Sequence, residues 1–260
     1  GEWMAVKIFT NNGGEFVETS LSNTEGLWHS IATADLNNDG LLDIIAGNHG
    51  LNSRLKADST HPLTLYVNDF DQNGSIEQLM TQFEGETAYA IVLLTDLVKQ
   101  LPSLRKKYLK HESYKDQTIA DMFDTETLQK SVKHEVKLLK SVVLLQQADG
   151  TFETSELPVE AQFSQVFAIL PSDINGDGAI DLIIGGNQTR MKPEMGINNA
   201  SYGLTLLNDG NGQFKALKPS ESGILVRDDT RQIEQINIGG EVVYLFVRNN
   251  AESIAYKKLK

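Results

Sequence analysis

A nine-residue acidic segment occurs twice in this chain and limits what the chain can fold into. Residues 35–43 read D-L-N-N-D-G-L-L-D, and residues 173–181 read D-I-N-G-D-G-A-I-D. Each copy is followed at once by an apolar run, residues 44–47 in the first and 182–186 in the second. A repeated loop that leads into a repeated strand indicates a fold built from one supersecondary unit used several times.

Three other segments share an apolar run, a polar turn and a closing phenylalanine. They are residues 8–16, 144–152 and 206–214. Their turns consist of Asn, Asp and Gly, which tolerate the positive φ angles of tight turns, so each segment is predicted to be a β-hairpin. One hairpin precedes each acidic loop, so the order of elements is repeated as well as the motif.

Together these patterns define a unit of four short strands: strand A, acidic loop, strand B, a long connection, strand C, hairpin turn and strand D. Such units are typical of β-propeller blades. We therefore predict a mainly β fold, a propeller of about four to five four-stranded blades or an arc of a larger ring. The predicted parts are a partial blade at 1–20, blades at 27–82, 88–157 and 164–217, and a blade at 222–259 without an acidic loop.

The third of these blades is predicted to carry a helical insertion over residues 95–140. Thr95 and Asp96 are candidate N-caps, and four apolar residues follow the spacing of one helix face. These four residues are Leu128, Val132, Val136 and Leu139. The insertion is either a solvated cap on the blade or a docking surface for a partner domain. The last blade is predicted to have four strands, at 224–226, 233–238, 242–247 and 253–256.

The spacing of oxygen donors in the acidic loops is typical of a cation site. Donors recur at positions 1, 3, 5, 7 and 9, and a glycine at position 6 permits the sharp turn. The predicted ligands are Asp35, Asn37, Asp39, the Leu41 carbonyl and Asp43 in one loop, and Asp173, Asn175, Asp177, the Ala179 carbonyl and Asp181 in the other. Calcium takes about six to eight oxygen ligands in a flexible shell, so we expect one calcium ion in each loop. The alternative is an empty turn held by its own Asp and Asn side chains.

The same loops do not fit an EF-hand. An EF-hand needs a glutamate at position 12, between two helices. Position 12 is Ala46 in the first loop and Ile184 in the second, and both residues lie in strand-like runs. We therefore expect the ion to stabilise a turn between two strands and to take no part in a reaction.

A third segment has the same donor spacing but stands where the other units have a hairpin. Its candidate ligands are Asp69, Asp71, Asn73, Ser75 and Glu77. The position leaves two interpretations open, a third calcium site and an elaborated turn.

The motif D-x-N-x-D-G-x-x-D followed by D-[IL]-I-I-x-G-N resembles the FG-GAP or VCBS repeat of integrin-α-like β-propellers. The flanking segments 26–30 and 47–52 resemble those of large secreted or surface VCBS proteins of Bacteroidetes, related to the cartilage-acidic-protein (ASPIC/UnbV) group. The resemblance implies a propeller with calcium in its A–B loops. It also implies an extracellular or bacterial cell-surface location, within a longer polypeptide whose other domains and signal peptide are not in this sequence.

The long B–C connections and the start of one strand A contain residues suited to ligand contact. They are Trp28, His49, Asn52, Arg54, His61, Arg190 and Tyr202. Aromatic, amide and charged groups at one end of a rigid scaffold suit a glycan or a protein ligand. The alternative is that these are ordinary solvated loops, with Trp28 in the core.

Composition excludes several function classes. A net charge of -12 disfavours nucleic acid, and the absence of cysteine excludes disulfides and zinc thiolate sites. No stretch has the roughly 18 apolar residues of a membrane span. No nucleotide-binding, metalloprotease or serine-hydrolase motif occurs.

From these observations we expect a non-enzymatic binding segment. The alternatives are part of a polysaccharide lyase or hydrolase, recruiting His49, His61 and Arg190, and a purely structural module.

Overall fold

A computed structural model describes residues 1–258. The chain is mainly β, with several small antiparallel sheets, as the sequence predicts. None of the helices in these residues has the length and apolar character that crossing a bilayer requires. The chain divides into two compact units. The first comprises residues 1–2, 27–54 and 139–260, and the second comprises residues 3–26 and 55–138.

The strands, numbered in chain order, are short. They are β1 (Glu2–Met4), β2 (Lys7–Asn12), β3 (Glu15–Ser20), β4 (Gly26–Leu27), β5 (Ser30–Ala34), β6 (Asp43–Gly47), β7 (Leu63–Asn68), β8 (Glu77–Glu84), β9 (Thr87–Ala90), β10 (Val132–Val136), β11 (Val142–Gln146), β12 (Phe152–Glu156), β13 (Val166–Ser172), β14 (Asp181–Gly186), β15 (Leu204–Asn208), β16 (Phe214–Ala216), β17 (Asp229–Ile238), β18 (Glu241–Asn249) and β19 (Ile254–Lys257).

The helices are shorter still. The α-helices are α1 (Leu94–Gln100), α2 (Ile119–Met122), α3 (Thr125–Lys130) and α4 (Pro219–Ser222), and the 3-10 turns are Pro102–Lys106, His111–Ser113, Val159–Gln162 and Pro193–Met195.

The first unit contains three sheets, with strand orders β5-β6-β11-β12, β13-β14-β15-β16 and β17-β18-β19. All neighbouring strands are antiparallel. The first strand of the second sheet, β13, lies beside the first strands of the other two, β5 and β17. In the second unit, one sheet has the order β10-β7-β8-β9, and β2 and β3 form a separate hairpin.

The apolar runs after the two acidic loops form the second strands of their sheets. Every residue of β6 and of β14 is buried, because each strand lies between two others and is covered on both faces. Ile45, Val143, Leu182 and Leu206 belong to one core cluster of the first unit. Gly186 ends β14 where a Cβ would overlap the carbonyl oxygen of Gln165, so this close approach requires glycine.

The three predicted hairpins are confirmed as β2–β3, β11–β12 and β15–β16. The predicted blade at 27–82 is paired differently. Strand β6 pairs with β11, and β7 pairs with β8 and β10 in the other unit. The strands of the two predicted blades at 27–82 and 88–157 therefore form two sheets that each draw on both ranges. One sheet contains β5, β6, β11 and β12, and the other contains β7, β8, β9 and β10. The physical reason is burial, because β11 presents Val142, Val143 and Leu144, all fully buried, to β6.

The insertion at 95–140 is helical only in part. Residues 94–130 contain short helices, but Val132 and Val136 begin and end strand β10, so the predicted helix face through them is wrong. The N-cap of α1 is Leu93 rather than Thr95 or Asp96. All five residues of β10 pair with β7, and the β-branched side chains of Val132 and Val136 favour a strand over a helix.

The last sheet has three strands where four were predicted. Residues 224–226 form no strand, but they are held by hydrogen bonds from the Val226 N–H to the Tyr202 carbonyl (2.7 Å) and from the Leu225 N–H to the Tyr256 hydroxyl (3.1 Å). The other three predicted strands correspond to β17, β18 and β19.

Candidate metal-binding loops

The first acidic loop is organised by its own carboxylates. Asp35 accepts hydrogen bonds from the N–H groups of Asp39 (3.1 Å) and Gly40 (2.9 Å). Asp39 in turn accepts from the Leu41 N–H (2.8 Å) and from the side-chain amide of Asn37 (2.9 Å). Four of the five predicted ligand residues are therefore joined in one exposed network.

The second acidic loop repeats this network. Asp173 accepts from the N–H groups of Gly176 (2.6 Å) and Gly178 (3.1 Å). Asp177 accepts from the Ala179 N–H (2.9 Å) and from the Asn175 amide (2.7 Å). These two hydrogen bonds hold the pKa of Asp177 below its usual value, and the bond from the Ala179 N–H has the larger effect. A carboxylate that stays ionised is ready to bind a cation.

The ninth position of each loop has a structural role that the sequence did not predict. Asp43 is fully buried, and its two oxygens accept hydrogen bonds from the N–H groups of Leu36 and Gln146, both at 2.8 Å. Asp181 is also fully buried and accepts from Ile174 and Asn208, both at 2.9 Å. Each aspartate therefore closes its own loop and ties that loop to the end of strand C.

The third loop, at 69–77, has the closest group of carboxylates. One oxygen from each of Asp69, Asp71 and Glu77 lies within 4.8 Å of the others, and residues 1–258 contain no second such group of three. Asp69 accepts from the N–H groups of Asn73 and Gly74, both at 2.9 Å. Glu77 is 3% exposed and accepts from the Phe70 N–H (2.9 Å), as Asp43 accepts from the Leu36 N–H in the first loop.

One oxygen of this third group has no partner. Asp71 Oδ1 is buried and makes no hydrogen bond within the described part of the chain. A buried carboxylate oxygen beside two other carboxylates is unfavourable unless a positive charge lies nearby. The donor set is all oxygen, which calcium prefers, so these residues fit a calcium ion. Each of the three loops has three carboxylates, but here position 3 is an aspartate and position 5 an asparagine, the reverse of the other two loops.

Two of the predicted ligand-contact residues are buried. Trp28 is 7% exposed, so the alternative interpretation of this residue, a place in the core, describes it better. His49 is 6% exposed, and its ring nitrogens lie 3.1 Å from Ser53 Oγ and 2.9 Å from Gln165 Nε2. Burial lowers the pKa of His49 to about 4.

Asn52 and Arg54 line one cavity of about 370 Å³ in the first unit, together with residues 193–198. Arg54 donates from Nη1 to the Glu194 carbonyl (3.0 Å), and Asn52 donates to the Phe163 carbonyl (3.2 Å). Both side chains are thus partly used in holding loops together.

Tyr202 lies in a different groove of the first unit, with a volume of about 440 Å³. Tyr202 is 44% exposed and Phe163, which lines the same groove, is 42% exposed. The groove also carries two lysines and two glutamates, Lys215, Lys218, Glu160 and Glu221. Sequence reasoning missed Phe163, because a single phenylalanine outside any motif gives no signal of exposure.

The remaining predicted residues lie elsewhere. His61, in the second unit, packs edge-on against Phe83 (4.9 Å between ring centroids) and lies 3.6 Å from carboxylate oxygens of Asp58 and Glu86. Arg190, in the first unit, faces the side-chain amide of Asn250. Neither residue lines the Tyr202 groove or the Asn52 cavity.

Comparison with protein families supports part of the predicted resemblance. A family model described as an FG-GAP-like repeat matches residues 2–46, a segment that runs from β1 through the first acidic loop to β6. This confirms the FG-GAP resemblance predicted for that part of the sequence. No curated protein matches the chain.

Proposed function

We propose that this chain is a calcium-stabilised extracellular segment of a β-propeller that binds a glycan or a protein and catalyses no reaction. The observation that carries the proposal is the group formed by Asp69, Asp71 and Glu77, whose oxygens lie within 4.8 Å of one another. Such a group is stable when a divalent cation compensates its charge.

Calcium in the loops at 35–43 and 173–181 is the second part of the proposal. In both loops the fifth-position aspartate accepts from the asparagine amide at position 3 and from the N–H at position 7. Calcium sites of extracellular modules bind with dissociation constants of about 10⁻⁴–10⁻³ M. Loops as exposed as these would bind calcium where its concentration is high, which favours a location outside the cytoplasm.

The sheet arrangement of the first unit supports a propeller. Two sheets share the order A-B-C-D, with the acidic loop between the first two strands of each. Their first strands, β5 and β13, lie side by side, and β17 of the third sheet also lies beside β13. First strands that meet in this way are typical of blades around an axis.

The groove at Tyr202 is the best place for a ligand in the first unit. It combines two partly exposed aromatic rings, Tyr202 and Phe163, with lysines and glutamates in equal number. Aromatic faces with a few polar groups suit the ring of a sugar or the side chains of a peptide. Balanced charge favours a ligand with little net charge.

The state of His49 supports the non-enzymatic interpretation over a lyase or hydrolase. A general base needs a ring nitrogen that is open to substrate, and both nitrogens of His49 face structural partners, Ser53 and Gln165. A purely structural module is compatible with the FG-GAP match, and ligand screening separates it from a binding segment.

Calorimetric titration of the metal-free chain with calcium tests the metal part. We expect three binding events, of which Asp71→Asn abolishes one. Asp149→Asn is the matched control, because Asp149 is an exposed aspartate in a hairpin turn and accepts hydrogen bonds from the Thr151 N–H and hydroxyl. No heat of binding, or equal binding by Asp71→Asn and the unmodified chain, would contradict the proposal.

Screening the chain against glycans and secreted proteins tests the ligand part. We expect Tyr202→Ala to weaken binding of any ligand that is found. Leu109→Ala is the control, because Leu109 is an apolar residue of the second unit and is 81% exposed. Product formation from a polysaccharide would instead support the enzymatic alternative.

A further inference from the structure

The hairpin β2–β3 corresponds to the outer half of a four-stranded sheet. In β11–β12, Gln146 lies opposite Phe152, and in β15–β16, Asn208 lies opposite Phe214. In β2–β3, Asn11 lies opposite Phe16. Aligned on this phenylalanine pair, Phe9 of β2 corresponds to Leu144 and to Leu206.

The corresponding positions differ sharply in exposure. Leu144 and Leu206 are both 0% exposed, because Leu144 pairs with Ile44 of β6 and Leu206 pairs with Leu182 of β14. Phe9 is 55% exposed, and no strand among residues 1–258 pairs with β2 besides β3. This hairpin therefore lacks the neighbouring strand that buries the equivalent leucines in the other two sheets.

The backbone of β2 also has an N–H donor, that of Asn11, at the position that corresponds to Gln146 and Asn208. Asn12 and Glu15 close a two-residue turn and exchange hydrogen bonds, so the next pair, Asn11 and Phe16, does not. The Asn11 N–H consequently points away from β3. The N–H groups of Gln146 and Asn208, which occupy the same place, donate to the ninth-position carboxylates Asp43 and Asp181.

An isolated two-stranded hairpin is only marginally stable. All six residues of β3 are exposed, and Phe16 (70%) and Val17 (51%) are large apolar residues among them. An open edge with exposed apolar side chains is a site for strand addition.

We propose that the free edge of β2 is a docking site for a polypeptide segment of A–B type, an acidic nine-residue loop followed by an apolar strand. The strand pairs antiparallel with β2 and covers Phe9, and the ninth-position carboxylate of the loop accepts the Asn11 N–H. The occupant is a partner segment from outside residues 1–258, with the same chemistry as β5–β6 and β13–β14. This inference concerns strand pairing and stands whether or not the loops bind calcium.

The test uses the full chain and a probe taken from its own sequence. The probe is residues 165–187, which contain β13, the second acidic loop and β14, fused to a soluble carrier. Affinity is measured by calorimetry, and hydrogen exchange reports protection of the β2 amides. We expect saturable binding that protects residues 8–11.

Matched variants locate the contact. Phe9→Asp should weaken probe binding about tenfold or more, since it removes the apolar group that the probe covers. Val17→Asp should not, because Val17 lies on β3 and faces the opposite side of the hairpin. The probe variant Asp181→Asn should also bind more weakly, since it lacks the second carboxylate oxygen. If Phe9→Asp loses its fold by circular dichroism, Phe9→Ser replaces it.

Three results would overturn the proposal. These are no binding of the probe, equal binding by the Phe9 and Val17 variants, and protection of β3 in place of β2. Concentration-dependent self-association that protects β2 without the probe would make a second copy of this chain the occupant, and would overturn the proposal as well.

Discussion

Asp43 Oδ1 accepts a hydrogen bond from the Gln146 N–H at 2.8 Å, although the two residues are 103 positions apart in the chain. The other oxygen of Asp43 accepts from Leu36, inside its own loop. One buried carboxylate thus joins a local turn to a distant strand.

This arrangement predicts that Asp43→Asn destabilises the fold. An amide has one acceptor oxygen, so one of the two backbone N–H groups loses its partner and faces an NH₂ group instead. The expected cost is about 1–3 kcal/mol in the free energy of unfolding, measured by urea denaturation. Asp39→Asn is the control, since Asp39 is exposed in the same loop. Equal destabilisation by both variants would show that loop charge, and not burial, is decisive.

Calcium should change the effect of Asp71→Asn on stability. Without calcium, the substitution removes one of three neighbouring negative charges, so the melting temperature should stay the same or rise. With calcium, the unmodified chain should gain stability by mass action and the variant should gain less. Thermal melts with and without chelator measure both. A variant that is less stable in chelator and shifts normally with calcium would show that Asp71 is no ligand.

Acid should destabilise the first unit through His29 and His49. Burial lowers the pKa of His49 from 6.5 to about 4, and the pKa of His29 is lowered to about 4 by burial together with the nearby charges of His49, Arg231 and the amino terminus. The unfolded chain therefore binds protons that the folded chain does not, and stability falls as pH drops from about 6.5 towards 4. The shift of His49 corresponds to at most about 3 kcal/mol.

Carboxylates titrate near the lower end of the same pH range, so they also contribute to acid sensitivity. Replacing His49 separates the histidine contribution from theirs. His49→Gln should reduce the loss of stability between pH 7 and pH 5, measured by urea denaturation at each pH. An exposed histidine, His111, provides the control variant His111→Gln. An unchanged pH slope in His49→Gln would show that other groups cause the acid sensitivity.

Gly186→Ala should prevent the first unit from packing. A Cβ at this position overlaps the Gln165 carbonyl oxygen, which is part of the backbone and cannot rotate away. We expect severe loss of soluble, cooperatively melting protein. Gly176→Ala is the control, because its positive φ of 82° costs about 1 kcal/mol but no atom lies in its way.

Local patterns predicted local structure well. The hairpins at 8–16, 144–152 and 206–214 follow from turn residues next to apolar runs, and each forms between neighbours in the chain. The β-rich character and the FG-GAP resemblance of residues 2–46 follow from the acidic loop and the strand after it. The predicted helix through Val132 and Val136 failed, because a spacing of four residues fits a helix face and one face of a strand alike.

The sequence by itself determined the repeated loop, the hairpin turns and the apolar strands, because these depend on residues close together in the chain. Only the tertiary structure decided that β6 pairs with β11 and not with β7. Both candidates are apolar runs, and the choice depends on which of them buries its side chains against β6. In the same way, only the fold showed that Asp71, in the loop that stands where the other units have a hairpin, has a buried oxygen without a hydrogen-bond partner among residues 1–258. The distance between carboxylates depends on backbone geometry, which residue spacing alone does not specify.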